Sequence, residues 1–270
     1  MLNIRQLHKT FFPGTPNEVQ ALRGIELDLP EGTFAAIIGT NGSGKSTLLN
    51  AVAGTFAPDQ GDIRLAGQNI TRWPEYRRAR LIGRVFQNPF AGTAADMTIA
   101  ENIALAMRRG CRRGLGLSLR RSVRTEIGDR VRTLNLGLED RLDNPIGTLS
   151  GGQRQALTLL MATWLRPSLL LLDEHTAALD PKSAAQVAEL TQTIIRREKL
   201  TALMVTHSMQ QAVQLPDRIV MMHKGQIVRQ YDGPEKARVR VPDLLAAFDQ
   251  VRRRELLDPA VADRLARQYA

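Results

Sequence analysis

Short apolar runs bounded by turn residues alternate along the chain with segments whose apolar residues recur at helical spacing. That rhythm predicts an α/β core, a parallel sheet wrapped by helices. The predicted strands are 34–38, 169–172, 202–205 and 218–222, each short and apolar on a polar-flanked stretch. From Leu157, apolar residues return at Leu160, Met161, Trp164 and Leu165 until Pro167 stops the run, which predicts a helix. Another helix is predicted from Asp180, an N-cap followed by Pro181 at the first helical position, with Val187, Leu190, Ile194 and Ile195 on one face. Between 91 and 149 the strand runs disappear and helical pattern and arginine dominate. This predicts an inserted helical subdomain with an exposed loop at Gly110 to Gly116. After Lys236, two amphipathic segments (244–251 and 259–265) flank Arg252-Arg253-Arg254 and are expected to pack against the body. The chain carries no internal repeat and no low-complexity tract.

Composition narrows the class. A chain of 270 residues, 43% hydrophobic and 24% charged, has enough apolar material for one large domain or two small ones and excludes wholesale disorder. No window offers the ~20 apolar residues of a membrane-spanning helix, and Met1 to Gln6 lacks the plan of a signal peptide, so a cytoplasmic protein is expected. Cys111 is the single cysteine and allows neither an internal disulfide nor a thiolate metal cage. The net charge of +10 is concentrated: Arg108, Arg109, Arg112, Arg113, Arg120, Arg121 and Arg124 occupy a stretch without an acid, which leaves +3 for the rest. Nucleic acid and anionic lipid headgroups are candidate partners for such a stretch. A GC-rich genome would also enrich arginine over lysine with no function attached.

Three stretches carry chemistry. Gly39-Thr40-Asn41-Gly42-Ser43-Gly44-Lys45-Ser46, followed by Thr47, satisfies G-x-x-x-x-G-K-[ST] between a buried strand and a helix over 46–53, with Gly54 placed to end it. Glycines let the backbone turn its amides toward a phosphate and the helix N-terminus adds positive potential. Lys45 neutralises the terminal phosphates, and the Ser46 hydroxyl can ligand Mg²⁺. Leu169 to Leu172 ends in Asp173-Glu174, at the strand end where ligands bind in open α/β sheets. Alternation along a strand should part the two carboxylates, leaving Asp173 for Mg²⁺ and Glu174 for the attacking water. The same pair is also what an ordinary solvated strand exit looks like. Ser150-Gly151-Gly152-Gln153 forms a capping box, which accounts for Ser150 and Gln153 but not for two glycines in a first helical turn. Bare amides there would admit a second phosphate.

With those motifs assembled, the chain resembles the ATP-binding subunit of an ABC transporter over roughly 2–233. Gly39 to Ser46 is similar to the family's Walker A loop, Leu149 to Gln153 to its signature motif and Leu169 to Asp173 to Walker B, with Glu174 in the catalytic position. Gln87 in Val85-Phe86-Gln87-Asn88-Pro89 resembles the Q-loop glutamine that reports on Mg²⁺ and on the membrane partner. Ala178-Leu179-Asp180 resembles the D-loop and His207 the switch histidine, which would bond the γ-phosphate and attacking water. Phe11 sits where the family stacks an aromatic on adenine, with Phe12 adjacent; His8, His175 and His223 are left structural, although His175 stands where the family most often has proline.

The resemblance implies a P-loop fold with a RecA-like core (about 1–90 and 158–235), an N-terminal antiparallel β subdomain, a helical subdomain (about 91–157) and a tail at 236–270. It further implies ATP and Mg²⁺ as cofactors, and a head-to-tail homodimer in which each nucleotide lies between one chain's Lys45 and the other's Ser150 to Gly152. A separate integral-membrane permease, a solute-binding protein and a peripheral position on the cytoplasmic face of the inner membrane complete the expectation. Residues 10–19 and 173–180 look similar to an importer group linked to amino acids, including aromatic ones. The competing class is a soluble ABC-type ATPase acting on nucleic acid or ribosomes. A single compact cassette argues against it, and no nucleic acid partner is expected.

Overall fold

The computed structural model describes residues 1–110 and 120–256. The chain opens with β1 (Leu2–Phe11), β2 (Val19–Leu29) and β3 (Phe34–Gly39), followed by α1 (Lys45–Ala53), β4 (Gln60–Leu65), β5 (Gln68–Asn69), the single turn α2 (Glu75–Arg78) and β6 (Ile82–Val85). Then come α3 (Ile99–Met107), α4 (Arg121–Arg132) and α5 (Gly151–Thr163). The last part alternates β7 (Leu169–Asp173), α6 (Pro181–Glu198), β8 (Ala202–Val205), α7 (Met209–Gln214), β9 (Arg218–His223), β10 (Gln226–Tyr231), α8 (Gly233–Arg238) and α9 (Val241–Leu256).

Among the described residues the strands form two sheets, ordered β2-β1-β4-β5 and β10-β9-β3-β8-β7-β6. In the larger one β3 runs parallel to β8 and β9, and β7 parallel to β6 and β8, with β10 as an antiparallel edge. The apolar runs of β3, β7 and β8 reflect burial on both faces. Odd positions such as Ala35, Ile37, Leu169, Leu171 and Leu203 pack toward α1 and the antiparallel sheet, against Leu48, Val52, Ile4, Ile25 and Ile63. Even positions such as Ala36, Ile38, Leu170, Leu172 and Met204 pack toward α5, α6, α7 and α9.

Of these strands, β1 escapes a simple period-2 reading because its pairing with β2 shifts register between Ile4 and Leu7, at Gln6, whose φ is 43°. Gly61 lies beneath that kink, where a Cβ would come within 2.3 Å of the Gln6 carbonyl.

A third core lies among α3, α4 and α5, built from Ile99, Ile103, Ile127, Val131, Leu134, Leu138 and Ile146. The subdomain boundary expected at residue 157 cuts through α5, which serves two cores. Leu157, Leu160, Met161 and Trp164 face the helical layer, and Leu159 and Ala162 face the sheet. The arginine stretch is not a single solvated face. Arg109 donates from Nη2 to the Ala162 carbonyl at 3.0 Å, and Arg124 pairs with Asp143 at 2.7 Å. Arg112, Arg113 and most of the expected loop at 110–116 lie outside the described residues, as does the segment 259–265. The segment 244–251 falls in α9, which buries Leu244, Ala247 and Phe248 against the body.

Candidate functional site

The C-terminal ends of β3, β7 and β8 carry Gly39 to Ser46, Asp173 with Glu174, and His207, whereas Phe11 lies at the end of β1, Gln87 after β6 and Ser150 to Gln153 at the start of α5. After β3 the chain turns tightly into α1, and each glycine there has its own reason. A Cβ on Gly39 would sit 2.4 Å from the Met222 carbonyl of β9, and one on Gly44 2.5 Å from the Ala21 carbonyl of β2. Gly42 and Gly44 also hold φ of 75° and 98°, in the left-handed region. The β9–β10 hairpin buttresses the loop through Gly225, whose N–H donates to the Ser43 carbonyl at 3.0 Å. Gly44 caps α1 without a side-chain acceptor, so the first-turn amides keep their donors for a ligand. Lys45 is buried and donates from Nζ to the carbonyls of Gly39 and Thr40 at 2.9 and 3.0 Å. Burial lowers its pKa from the ordinary lysine value, opposed by the Glu174 carboxylate. The Ser43 hydroxyl is buried without a hydrogen-bond partner among the described residues. Uncapped amides, a lysine and a spare hydroxyl fit an anionic phosphate group.

At the end of β7 the two carboxylates do part, for a different reason than strand alternation. Asp173 is the last strand residue. Glu174 has left the strand with φ 45°, a strained conformation that costs about 1–3 kcal/mol, while its N–H still donates to the Val205 carbonyl. The kink turns Glu174 toward His207, where Oε1 and Nε2 lie 2.6 Å apart; the Glu174 side chain is 11% exposed and that of His207 47%. Asp173 faces Arg84 of β6, whose Nη2 lies 3.3 Å from Oδ2 and 2.6 Å from the Asn50 side-chain oxygen. One carboxylate and one hydroxyl suit Mg²⁺, which keeps waters and phosphates in its shell, better than a cation needing an all-protein cage. His175 is buried; Thr191 spends its proton on the Val187 carbonyl, so the histidine ring donates from Nε2 to Thr191 at 3.0 Å. Desolvation depresses its pKa to about 4.

The N-terminus of α5 closes the capping box read from the sequence, Ser150 Oγ accepting from the Gln153 N–H and Gln153 Oε1 from the Ser150 N–H, both at 3.2 Å. Its glycines have a reason that sequence reasoning missed. A Cβ on Gly152 would come within 2.8 Å of Ser183 at the start of α6, and one on Gly151 within 3.3 Å of Leu179. They make room for a neighbouring turn of the same chain, whatever else approaches them.

The family model described as ABC transporter matches residues 22–177, the span that holds Gly39 to Ser46, Ser150 to Gln153, Asp173 and Glu174 but not His207. The chain belongs to the ABC transporter family. A tyrosine transport ATP-binding protein of Clostridioides difficile is 41% identical over 251 residues, covering 92% of this chain and 99% of its own. A methionine import ATP-binding protein of Chromohalobacter salexigens is 34% identical over 237 residues, 86% of this chain and 65% of its own. Among solved structures, a dimeric ATP-binding cassette in a post-hydrolysis state with ADP and phosphate superposes with a TM-score of 0.73 at 26% identity, over 86% of this chain and 98% of its own.

This ABC transporter subunit is thus an ATP-binding, ATP-hydrolysing one. Phe11 ends β1 partly exposed, edge-to-face on Phe56 with ring centroids 5.4 Å apart, whereas Phe12 is exposed. Gln87 is exposed on the loop after β6. Arg84 and Asn50 went unread in the sequence, although a charged residue inside the short apolar run Ile82–Val85 was a usable signal. Among the described residues no helix is long and apolar enough to cross a membrane.

Proposed function

We propose that this subunit powers import of an amino acid, an aromatic one first among them, through a separate permease fed by a solute-binding protein. It would act as a head-to-tail homodimer on the cytoplasmic face of the membrane. The observation that carries the reading is the 41% identity to a tyrosine transport ATP-binding protein, which runs through nearly the whole of both chains. A dimeric cassette among the structural relatives supports the pairing.

In this reading the amides of Gly39 to Thr47 and the Lys45 ammonium grip the phosphates of one nucleotide, and Phe11 stacks on its base. Ser150, Gly151 and Gly152 of the second copy cap the far side, with Gln153 holding Ser150 in place. Ser46, Gln87 and Asp173 would hold Mg²⁺, which supplies charge neutralisation at the leaving oxygens. Asp173 must then exchange its contact with Arg84 for the cation. Glu174 orients the water and takes its proton, and His207, already hydrogen-bonded to Glu174, fixes the carboxylate and reaches the γ-phosphate. Hydrolysis requires both half-sites, because positioning and charge neutralisation supply most of the catalysis.

The test is reconstitution with the permease that co-purifies from membranes. ATP hydrolysis in proteoliposomes should rise with a solute-binding protein loaded with labelled tyrosine or phenylalanine, and label should accumulate on the side that holds the nucleotide. Stimulation by an unrelated solute alone, outward movement, or DNA- or RNA-stimulated hydrolysis would overturn it.

A further inference from the structure

Gln155 is fully buried in the second turn of α5, five residues after Ser150. Its side-chain Nε2 donates two hydrogen bonds, to the Phe86 carbonyl at 2.9 Å and the His175 carbonyl at 2.8 Å. Those carbonyls lie in the loops leaving the neighbouring parallel strands β6 and β7. Phe86 immediately precedes Gln87, and His175 immediately follows Glu174. The flipped amide would point its oxygen at two carbonyl oxygens, so the orientation is fixed by the network. Its own Oε1 is buried without a partner among the described residues. An apolar side chain of the same size would avoid that buried acceptor, and would leave both loop carbonyls unmet.

The other end of α5 is anchored on the sheet. A Cβ on Gly83 of β6 would lie 2.4 Å from the Ala162 carbonyl, a contact close enough to act as a pivot. A displacement of the Ser150 end therefore moves Gln155 more than Ala162, and Gln155 holds one loop with each amide proton. We propose that Gln155 is a positioning residue that carries displacement of the signature end of α5 to the loops of Gln87 and Glu174, so that one amide couples the capping of a nucleotide to both. This rests on the proposed reading of those three elements.

The test compares Q155M, similar in length but without donors, with the wild type and with E174Q. For Q155M, kcat for ATP falls by roughly 10-fold or more, the cost of a misplaced catalytic group, while KM stays within about 2-fold because the phosphate loop is untouched. Hydrogen exchange quickens at 86–88 and 174–177 while α5 keeps its protection. Permease stimulation of hydrolysis is lost. A wild-type kcat in folded Q155M overturns the inference, as does a fall in kcat accompanied by loosened exchange throughout α5, which marks a merely structural role. Should Q155M fail to fold, Q155N keeps the amide but reaches only one carbonyl, and the same readings apply to it. E174Q separates the two failures: if it hydrolyses ATP briskly, the proposed catalytic reading is wrong, whereas an inactive E174Q beside a wild-type Q155M sinks the coupling alone.

Discussion

The two glycine-rich helix starts of this chain look alike in sequence and are built in opposite ways. At α1 the glycines are forced by backbone carbonyls from β2 and β9, the cap has no side-chain acceptor, and the first-turn amides remain available. At α5 the cap is closed by Ser150 and Gln153, and the glycines yield space to Leu179 and Ser183. The first is an open cradle in its own right. The second has its Ser150 and Gln153 amides already engaged in the capping box, and in the proposed dimer it is the other copy that brings a phosphate to it. A helix N-terminus is thus no single kind of site, and what its first turn is bonded to decides the kind.

The strongest attack on this contrast is at the chemistry that only the assembled site performs. E174Q should lower turnover by roughly 10²- to 10⁴-fold while nucleotide affinity by calorimetry is unchanged. Lys45→Ala should instead weaken ATP binding itself, by roughly 10- to 100-fold for a lost charged contact. A bulky Ser150→Phe should leave ATP affinity intact and stop hydrolysis. Mixing it with Lys45→Ala should restore activity, since one site of the mixed dimer is whole. No recovery on mixing would mean that the two starts do not share a nucleotide.

The remaining predictions test the claim that α6 shapes the start of α5. His175 of the β7–α6 connection bonds Thr191 of α6 and is neutral in the fold. Its pKa is depressed to about 4. As pH falls below the unfolded value of about 6.5 the unfolded chain takes up a proton that the fold refuses, so stability is full above that pH and is lost toward 4, by about 3 kcal/mol. Denaturant unfolding of the wild type and of His175→Leu should differ in that slope, and equal slopes would exclude His175 as the group responsible. Gly152→Ala should destabilise by about 1–3 kcal/mol through overpacking, and Ser183→Gly should recover the stability by removing the atoms it meets. If ATPase activity also returns in the double variant, Gly152 serves packing within the chain alone. Smallest is Ser150→Ala, which removes a cap worth about 1 kcal/mol, read as a lowered melting temperature.

Much of this was legible in residue order. The P-loop, the strand-end carboxylates, the caps at Ser150 and Asp180 and the buried strands are local features, set by neighbours within one turn or one strand. The antiparallel sheet was not visible from periodicity, because the kink at Gln6 breaks the alternation of β1, and only the family resemblance led to it. The placement of the arginine stretch was not legible either, since Arg109 turns inward to cap a carbonyl of α5.

By itself the sequence determined which groups can bind phosphate and move a proton, because those capacities belong to a residue and its nearest neighbours. Tertiary structure alone decided which groups meet. Glu174 reaches His207 only because the chain kinks where β7 ends beside β8. Gln155 ties carbonyls 69 and 20 residues away in the chain. Contacts of that kind come from packing separate elements into one core, where a buried donor or a missing Cβ is set by whatever the fold brings alongside it.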